Sequence, residues 1–211
     1  MGQRKFRADR CPGCGLHQER CVCASRPTID LATRVVFVQH NRERHKPTNT
    51  ARLARSILSG AELTHYGARE PPMDTSPLDH EERDYLVLFP RDDATILSPE
   101  TCPIVPGRTR TLVVLDGTWH QCSRMTRRVP RVMDMRCVAL PEGAPSEWGI
   151  RTPPRPGALS TFEAVARALA VLHGDEAVAP MLEWFRALTA QLWEMRGGAP
   201  VGDEDDDGDE A

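Results

Sequence analysis

The sequence predicts an α/β fold with a mostly parallel sheet and helices on both faces. Short apolar runs without strict alternation, such as residues 112–115, are typical of strands buried on both faces, as in parallel sheets. Polar, glycine- or proline-bearing turns follow these runs, and segments with helical periodicity come between them. At 211 residues the chain is long enough for one such domain and a small additional segment.

Four cysteines lie within thirteen residues near the start of the chain, at Cys11, Cys14, Cys21 and Cys23. Two closely spaced pairs, with Gly13 in the turn of the first pair, match the pattern of a tetrahedral four-thiolate zinc site. Disulfides are the alternative, but the sequence has no signal-peptide pattern and we expect a reducing, cytoplasmic location. We therefore predict a structural zinc ion here.

Strands are predicted at residues 34–40, 85–90, 112–116 and 136–141, with a further candidate at 62–66. Each is short, rich in β-branched or aromatic residues, and followed by a polar residue or a proline. About twenty residues separate the strands at 85–90 and 112–116, a length that permits a parallel crossover. The stretch from 68 to 84, which contains three prolines, is expected to be a long surface loop.

Helices are predicted at residues 48–60 and 120–128. A third helix should begin at Ser160, because Ser160 and Glu163 have the spacing of a capping box and apolar residues follow at helical intervals. A final amphipathic helix is expected to begin near Pro180 and to end before Gly197.

The strand at 112–116 ends on Asp116, and Gly117, Thr118 and Trp119 follow it. Sites in open α/β sheets lie beyond the carboxyl ends of the strands, so Asp116 is a candidate catalytic carboxylate. The alternative is that Asp116 or Thr118 only caps the helix that follows. The pattern alone leaves both interpretations open.

The formal net charge of −3 conceals an uneven distribution. Seven of the 30 acidic residues lie between Asp203 and Glu210, which leaves 27 basic against 23 acidic residues elsewhere, a formal charge of +4. A basic body with an acidic tail fits a protein that handles polyanions, although the excess of arginine over lysine can also reflect a GC-rich coding sequence.

Several of these segments resemble the DTW-domain family, the tRNA-uridine aminocarboxypropyltransferases. Besides the four cysteines, the matching segments are residues 116–119 for the Asp-x-Thr-Trp signature, 40–43 with 47–50, 88–90, and 159–164. The resemblance spans residues 11 to about 173. One departure is Trp148, where the family usually has a tyrosine, so an aromatic surface is kept but a hydroxyl is lost.

The resemblance implies a SPOUT-like fold with a trefoil knot. It also implies transfer of the 3-amino-3-carboxypropyl group of S-adenosylmethionine to N3 of a tRNA uridine, which leaves methylthioadenosine. Asp116 would be the general base that accepts the N3 proton.

The resemblance also implies two sets of binding residues. The cofactor-binding set lies at strand ends and at one helix start, and comprises Leu88, Phe89, Pro90, Leu115, Gly117, Thr118, Leu140, Leu159, Ser160 and Thr161. The substrate-binding set comprises His40, Glu43, Asn49, Trp119, Arg124, Trp148 and Arg151, with the two tryptophans expected to stack on an unpaired nucleotide.

These expectations divide the chain into a zinc-binding segment at 1–27, a catalytic domain at 28–198 and a disordered acidic tail at 199–211. The expected partner is tRNA, no membrane association is expected, and a monomer is favoured although the oligomeric state is left open. Two other functions remain open. A SPOUT-type RNA methyltransferase would yield adenosylhomocysteine, and a non-enzymatic zinc RNA-binding module would not bind adenosylmethionine.

Overall fold

The computed structural model describes residues 9–150 and 157–197. Its strands are β1 (Arg34–His40), β2 (Glu62–Tyr66), β3 (Arg83–Leu88), β4 (Thr95–Ile96), β5 (Thr109–Asp116) and β6 (Arg136–Ala139). They form one sheet in the order β2-β1-β5-β3-β6-β4, and every pairing between these strands is parallel. The predicted parallel sheet is therefore confirmed, and β5 lies inside it between β1 and β3.

Four helices cover the sheet: α1 (Ala51–Arg55), α2 (Trp119–Arg128), α3 (Thr161–His173) and α4 (Asp175–Met195). Helices α1, α3 and α4 share one apolar core with alternate residues of the strands, including Phe37 and Leu112. Helix α2 packs on the opposite face against Val36 and Val113. Helices on both faces are thus confirmed, whereas the knotted path of the chain remains a prediction.

Helices α2 and α3 each begin with a capping box. The Thr118 hydroxyl accepts a hydrogen bond from the backbone N of Gln121 at 3.3 Å, and Gln121 Oε1 accepts from the backbone N of Thr118 at 2.8 Å. Ser160 and Glu163 make the same pair of bonds at α3, as their spacing predicts. Thr118 caps α2, so the Asp116 side chain is left for another role.

Two helix boundaries differ from the prediction. Helix α1 ends at Arg55 because the next residues pair with Ile29, whose backbone N donates to Ile57 O at 2.9 Å and whose O accepts from Ser59 N at 2.8 Å. Helix α4 begins at Asp175, ahead of Pro180, which lies inside the helix. Pro180 lies beyond the first turn and removes one hydrogen bond of the helix, and the fully buried side chains of Val178 and Met181 on either side of it anchor the helix in the core.

The cysteine-bearing segment packs against the main core. Leu16 is fully buried, and Cys11 and Cys14 are buried in the same core as α1 and α4. Trp184 of α4 donates from Nε1 to the carbonyl O of Val22 at 2.9 Å. The cysteine-bearing segment and the main domain thus share one apolar core. The division of the chain near residue 27 stays a prediction.

Within residues 9–150 and 157–197, no helix combines the length and the apolar character that crossing a membrane requires.

Candidate functional site

Asp116 lies at the carboxyl end of β5, with its side chain on the face covered by α1 and α3. Gln39 of β1 is its partner in the parallel register, so the two side chains project side by side from neighbouring strands. Only 3% of Asp116 is exposed. A carboxylate buried this deeply requires hydrogen-bond donors.

Three neutral side chains supply those donors. Asp116 Oδ2 accepts from Gln39 Nε2 at 2.9 Å and from Asn49 Nδ2 at 2.6 Å. Asp116 Oδ1 accepts from the Thr161 hydroxyl at 3.1 Å. Since each carboxylate oxygen can accept two bonds, Oδ1 keeps one acceptor position beyond this set.

Burial raises the pKa of the Asp116 carboxyl above its usual range. The bonds from Gln39 and Asn49 act in the opposite direction, the nearby Glu43 raises the pKa further, and the bond from Thr161 lowers it. A carboxylate with a raised pKa is a stronger proton acceptor than an exposed aspartate. This arrangement suits a general base.

The donors also tie Asp116 to the starts of two helices. Asn49 Oδ1 accepts from the backbone N of Arg52 at 2.9 Å, which caps α1. The Thr50 hydroxyl accepts from the backbone N of Phe162 in the first turn of α3 at 3.3 Å. Asp116 therefore holds the start of α1, through Asn49, against the start of α3, through Thr161.

Glu163 has a larger role than the predicted helix cap. Its carboxylate accepts from the Ser146 hydroxyl at 2.7 Å and from the backbone N atoms of Glu147 and Trp148 at 2.6 and 3.2 Å. It thereby fixes the loop after β6 onto the first turn of α3. Its capping-box spacing identified the helix start but gave no signal for this second set of partners.

Trp148 corrects the prediction that it offers a stacking surface to RNA. It is 4% exposed, and its ring stacks on Phe185 with centroids 5.2 Å apart. An indole buried in this way has no free face for a base. Trp148 is a core residue.

The corrected role makes a stability prediction. We expect Trp148→Ala to lower the free energy of unfolding by about 3–5 kcal/mol, because it empties a large buried volume. Chemical denaturation measures this loss. A nearly unchanged denaturation midpoint together with a large loss of tRNA affinity would contradict the core assignment.

The other predicted substrate-binding residues are distributed over several environments. His40 is half-buried at the end of β1, and burial lowers its pKa. Glu43 is 2% exposed and forms an ion pair with Lys46 at 2.9 Å. Arg124 is exposed on α2. Arg151 lies outside the described residues, as does the acidic tail at 199–211.

The predicted cofactor-binding residues lie around the carboxyl edge of the sheet, with unequal exposure. Leu88, Phe89 and Leu115 are buried, whereas Pro90 and Thr118 are exposed. The remaining members are half-buried: Gly117, Leu140, Leu159, Ser160 and Thr161.

The hydroxyls of Ser160 and Thr161, both predicted to contact the cofactor, already have protein partners. Ser160 bonds the backbone N of Glu163, and Thr161 bonds Asp116. The hydroxyl of Thr161 therefore belongs to the Asp116 network, the hydrogen-bonded group formed by Asp116, Gln39, Asn49 and Thr161.

A cavity of about 220 Å³ adjoins the Asp116 network on the side of β1, β2 and α1. Gln39 and Asn49, the two donors to Asp116 Oδ2, are part of its lining. Cationic side chains make up much of the rest: Arg44, Lys46, Arg52 and Arg55. Sequence reasoning missed Gln39 and this cavity; a polar residue at the end of an apolar strand was the only signal for Gln39.

The four cysteines form one cluster. Their sulfur atoms all lie within 4.8 Å of one another, and the Cys11–Cys21, Cys11–Cys23 and Cys14–Cys21 separations are 3.3, 3.7 and 3.8 Å. An ion bound about 2.3 Å from four tetrahedral sulfurs separates them by about 3.8 Å. All four are free thiols, so the cluster fits a metal and the disulfide alternative is not realised.

Two local features support metal binding by this cluster. The backbone N–H of Cys14 is the main cause that lowers the pKa of Cys11 to about 6, which favours the thiolate that binds metals, whereas burial raises the pKa of Cys14 and Cys23 in the absence of a cation. A Cβ atom at Gly13 would lie 2.7 Å from Cys23 Sγ, so the turn has no room for a side chain. The residues therefore fit a closed four-thiolate site.

Arg52 connects the cysteine cluster with the Asp116 network. Its guanidinium donates to the carbonyl O atoms of Pro12, at 2.9 Å, and Gly13, in the turn between Cys11 and Cys14. Its backbone N bonds Asn49, which donates to Asp116. The cluster thus helps to position the start of α1.

Comparison with known proteins identifies several relatives. The chain is 28% identical to tRNA-uridine aminocarboxypropyltransferase 2 of Drosophila melanogaster over 173 residues, which covers 79% of this chain and 68% of the relative. It is 25% identical to the protein of that name from Macaca fascicularis and 27% identical to the one from Mus musculus, with 92% of this chain and 66% of each relative covered. The chain thus matches about two thirds of the length of these relatives.

Among solved structures, the chain is similar to the SAM-dependent rRNA:acp-transferase Tsr3 from Vulcanisaeta distributa. The TM-score is 0.48 and the identity 19%, with 79% of this chain and 81% of that chain covered.

The family match covers most of the protein. Residues 8–193 match the DTW domain, and this range includes the four cysteines, the Asp116 network and the cationic cavity. Both the Asp-x-Thr-Trp segment and the start of α3 lie within it. The chain belongs to the DTW domain family.

Proposed function

We propose that this protein transfers the 3-amino-3-carboxypropyl group of S-adenosylmethionine to N3 of a uridine in tRNA. The proposal is supported by membership of the DTW domain family and by relatives named tRNA-uridine aminocarboxypropyltransferase 2. The structural observation that carries it is a buried carboxylate with a raised pKa, Asp116, at the carboxyl edge of the sheet beside a cationic cavity.

In this proposal Asp116 accepts the proton of the uridine N3–H. Oδ1 is the accepting atom, because Oδ2 already receives two bonds and Oδ1 receives only the one from Thr161. The three neutral donors orient the carboxylate and leave it without a salt-bridge partner in the network. Such a positioned base typically contributes about 10² to 10⁴ in rate.

S-adenosylmethionine supplies an alkyl carbon next to a sulfonium leaving group. The residues proposed to surround adenosylmethionine are the cofactor-binding set described above, at the ends of β3, β5 and β6 and near the start of α3. The remaining rate enhancement then comes from aligning N3, this carbon and the sulfur.

The proposed uridine is unpaired, because N3 takes part in the base pair of duplex RNA. Trp119, half-buried and 5.0 Å from the ring of Phe89, begins α2 on the opposite face from Asp116. We therefore assign Trp119 to a nucleotide beside the reacting uridine, not to the uridine itself.

Trp119→Ala tests this assignment. We expect the affinity for tRNA to fall by about 1–3 kcal/mol, the usual cost of losing one base–aromatic stack, while the affinity for adenosylmethionine is unchanged. Filter binding and isothermal titration measure the two affinities. Unchanged tRNA affinity would show that Trp119 does not stack on the RNA.

We also propose that the ion in the cysteine cluster is zinc and that its role is structural. Four thiolates complete a tetrahedral shell, so no coordination position remains for a substrate. The contacts of Arg52 and Trp184 with this segment make its stability part of the stability of α1 and α4.

The assay of the proposal incubates purified protein with adenosylmethionine and tRNA and identifies both products. Methylthioadenosine and an aminocarboxypropylated uridine are expected. Adenosylhomocysteine and a methylated nucleoside would indicate a methyltransferase instead, and tRNA binding without turnover would indicate a binding module.

A further inference from the structure

The cationic cavity beside Asp116 has an unbalanced charge. Its lining contains Arg44, Lys46, Arg52 and Arg55, together with His45 and His65, and none of its lining residues is an aspartate or glutamate. Clustered cations around a small volume favour a positive potential, because the protein walls of a cleft focus the field. An anion is the expected occupant of such a cavity.

Two of these cations are already used within the protein. Lys46 pairs with Glu43 at 2.9 Å, and Arg52 donates to the carbonyl O atoms of Pro12 and Gly13. The ion pairs of the described part of the chain include neither Arg44 nor Arg55. Both are exposed, so they are available to an external ligand.

His65 of β2 lines the cavity and lies close enough to Arg44 and Arg55 for their charges to change its pKa. Burial lowers the pKa of His65, and the charges of Arg44 and Arg55 lower it further. An anion bound between these arginines would offset their effect. The pKa of His65 should therefore rise when an anion binds in the cavity.

The size and position of the cavity narrow the choice of anion. Its volume of about 220 Å³ is below the roughly 300–1,000 Å³ typical of whole cofactor sites, so a charged group fits better than an entire adenosylmethionine. Its exposed cations, Arg44, Lys46 and Arg55 with His45, lie where a longer polyanion can continue past the cavity. Arginine also matches the geometry of phosphate oxygens.

We propose that this cavity binds a backbone phosphate of the RNA substrate, through Arg44 and Arg55, and thereby places the reacting nucleotide next to Asp116. The inference rests on the proposed function for the identity of the RNA. Gln39 and Asn49 join the two sites, since each lines the cavity and donates to Asp116. The carboxylate of adenosylmethionine has the same oxyanion chemistry and is the competing source of the group.

The test compares Arg44→Ala, Arg55→Ala and the double variant with Arg108→Ala. Arg108 is an exposed arginine just before β5, at the amino ends of the strands, whereas the cavity lies near their carboxyl ends. The affinity for tRNA is measured across a salt series. We expect each cavity variant to reduce the slope of log affinity against log salt by about 1, the double variant by about 2, and Arg108→Ala to leave it unchanged.

A second arm separates the two oxyanions. The affinity for adenosylmethionine should be the same in all variants, and inorganic pyrophosphate should raise the pKa of His65 in wild type but not in the double variant, as followed by NMR. A salt slope equal to wild type in the double variant would overturn the proposal. A loss of adenosylmethionine affinity with an unchanged salt slope would also overturn it and assign the cavity to the cofactor carboxylate.

Failure of the proposed function gives a different result. If no aminocarboxypropyl transfer occurs but the salt slope and the His65 shift still depend on Arg44 and Arg55, the enzymatic proposal is wrong and the phosphate site stands.

Discussion

Asp116→Asn should lose on the order of 10² or more in aminocarboxypropyl transfer while it keeps its fold and its affinity for adenosylmethionine. An amide cannot accept the N3 proton at neutral pH, but it can reproduce the hydrogen bonds. Its carbonyl O can accept from Gln39 and Asn49, and its NH₂ can donate to the Thr161 hydroxyl, which both donates and accepts. The substitution therefore removes the base and little else.

Linkage predicts that this variant is at least as stable as the wild type. Burial raises the pKa of Asp116 in the folded protein, so the ionised carboxylate opposes folding above its unfolded pKa. This contribution becomes less unfavourable as the pH falls below the raised folded value, and the neutral asparagine does not have it. Asp134→Asn, at an exposed carboxylate before β6, is the matched control and should retain full activity.

The pH profile gives an independent check of the base. Wild-type single-turnover transfer should fall as the pH decreases through the raised pKa of Asp116, because protonation removes the acceptor. The residual rate of Asp116→Asn should lack this acid limb. Near-normal rates for the asparagine variant would assign Asp116 to orientation alone and give proton removal to another group or to water.

Replacing Cys11 and Cys14 by serine should abolish metal binding and strongly destabilise the protein. Purified wild type is expected to contain about one zinc per chain, and ligation energies in isolated zinc fingers reach about 10–16 kcal/mol. Part of this energy is retained here by packing on α4, so we expect a loss of several kcal/mol. A loss of about 4 kcal/mol corresponds to a decrease in Tm of roughly 8–16 °C for a domain of this size.

Cys102→Ser is the matched control for the zinc prediction, because Cys102 is 2% exposed but lies outside the cluster. It should keep the metal. Elemental analysis and thermal unfolding provide both measurements. Iron in the wild type, or zinc at full occupancy in the double variant, would contradict the assignment.

The elements of the fold could be predicted because their signals are local. The apolar strand at 34–40 and the capping box at Ser160 each carry a pattern within a few residues, and both match the structure. The extent of α1 could not be predicted, since pairing of Ile57 and Ser59 with Ile29 decides where the helix ends. Backbone pairing between residues that are distant in sequence produces no pattern within a short segment.

The candidate site divides in the same way. Asp116 could be found from the abrupt end of an apolar strand, but its donors come from Gln39, Asn49 and Thr161, which are distant in sequence. Trp148 was assigned to RNA stacking from the resemblance, which keeps an aromatic side chain at this position, and only its packing on Phe185 shows that it belongs to the core. The cationic cavity combines residues of α1, β2 and the loop after β1, so no single segment indicates it.

The most direct test of the proposed activity follows the fate of the methyl and the aminocarboxypropyl groups of adenosylmethionine. Wild-type protein is incubated with tRNA and with adenosylmethionine labelled in either the carboxyl or the methyl carbon. We predict that the carboxyl label enters the RNA, in equal amount to the methylthioadenosine released, while the methyl label stays with the nucleoside product. Methyl label in the RNA together with adenosylhomocysteine would contradict the proposal and identify a methyltransferase.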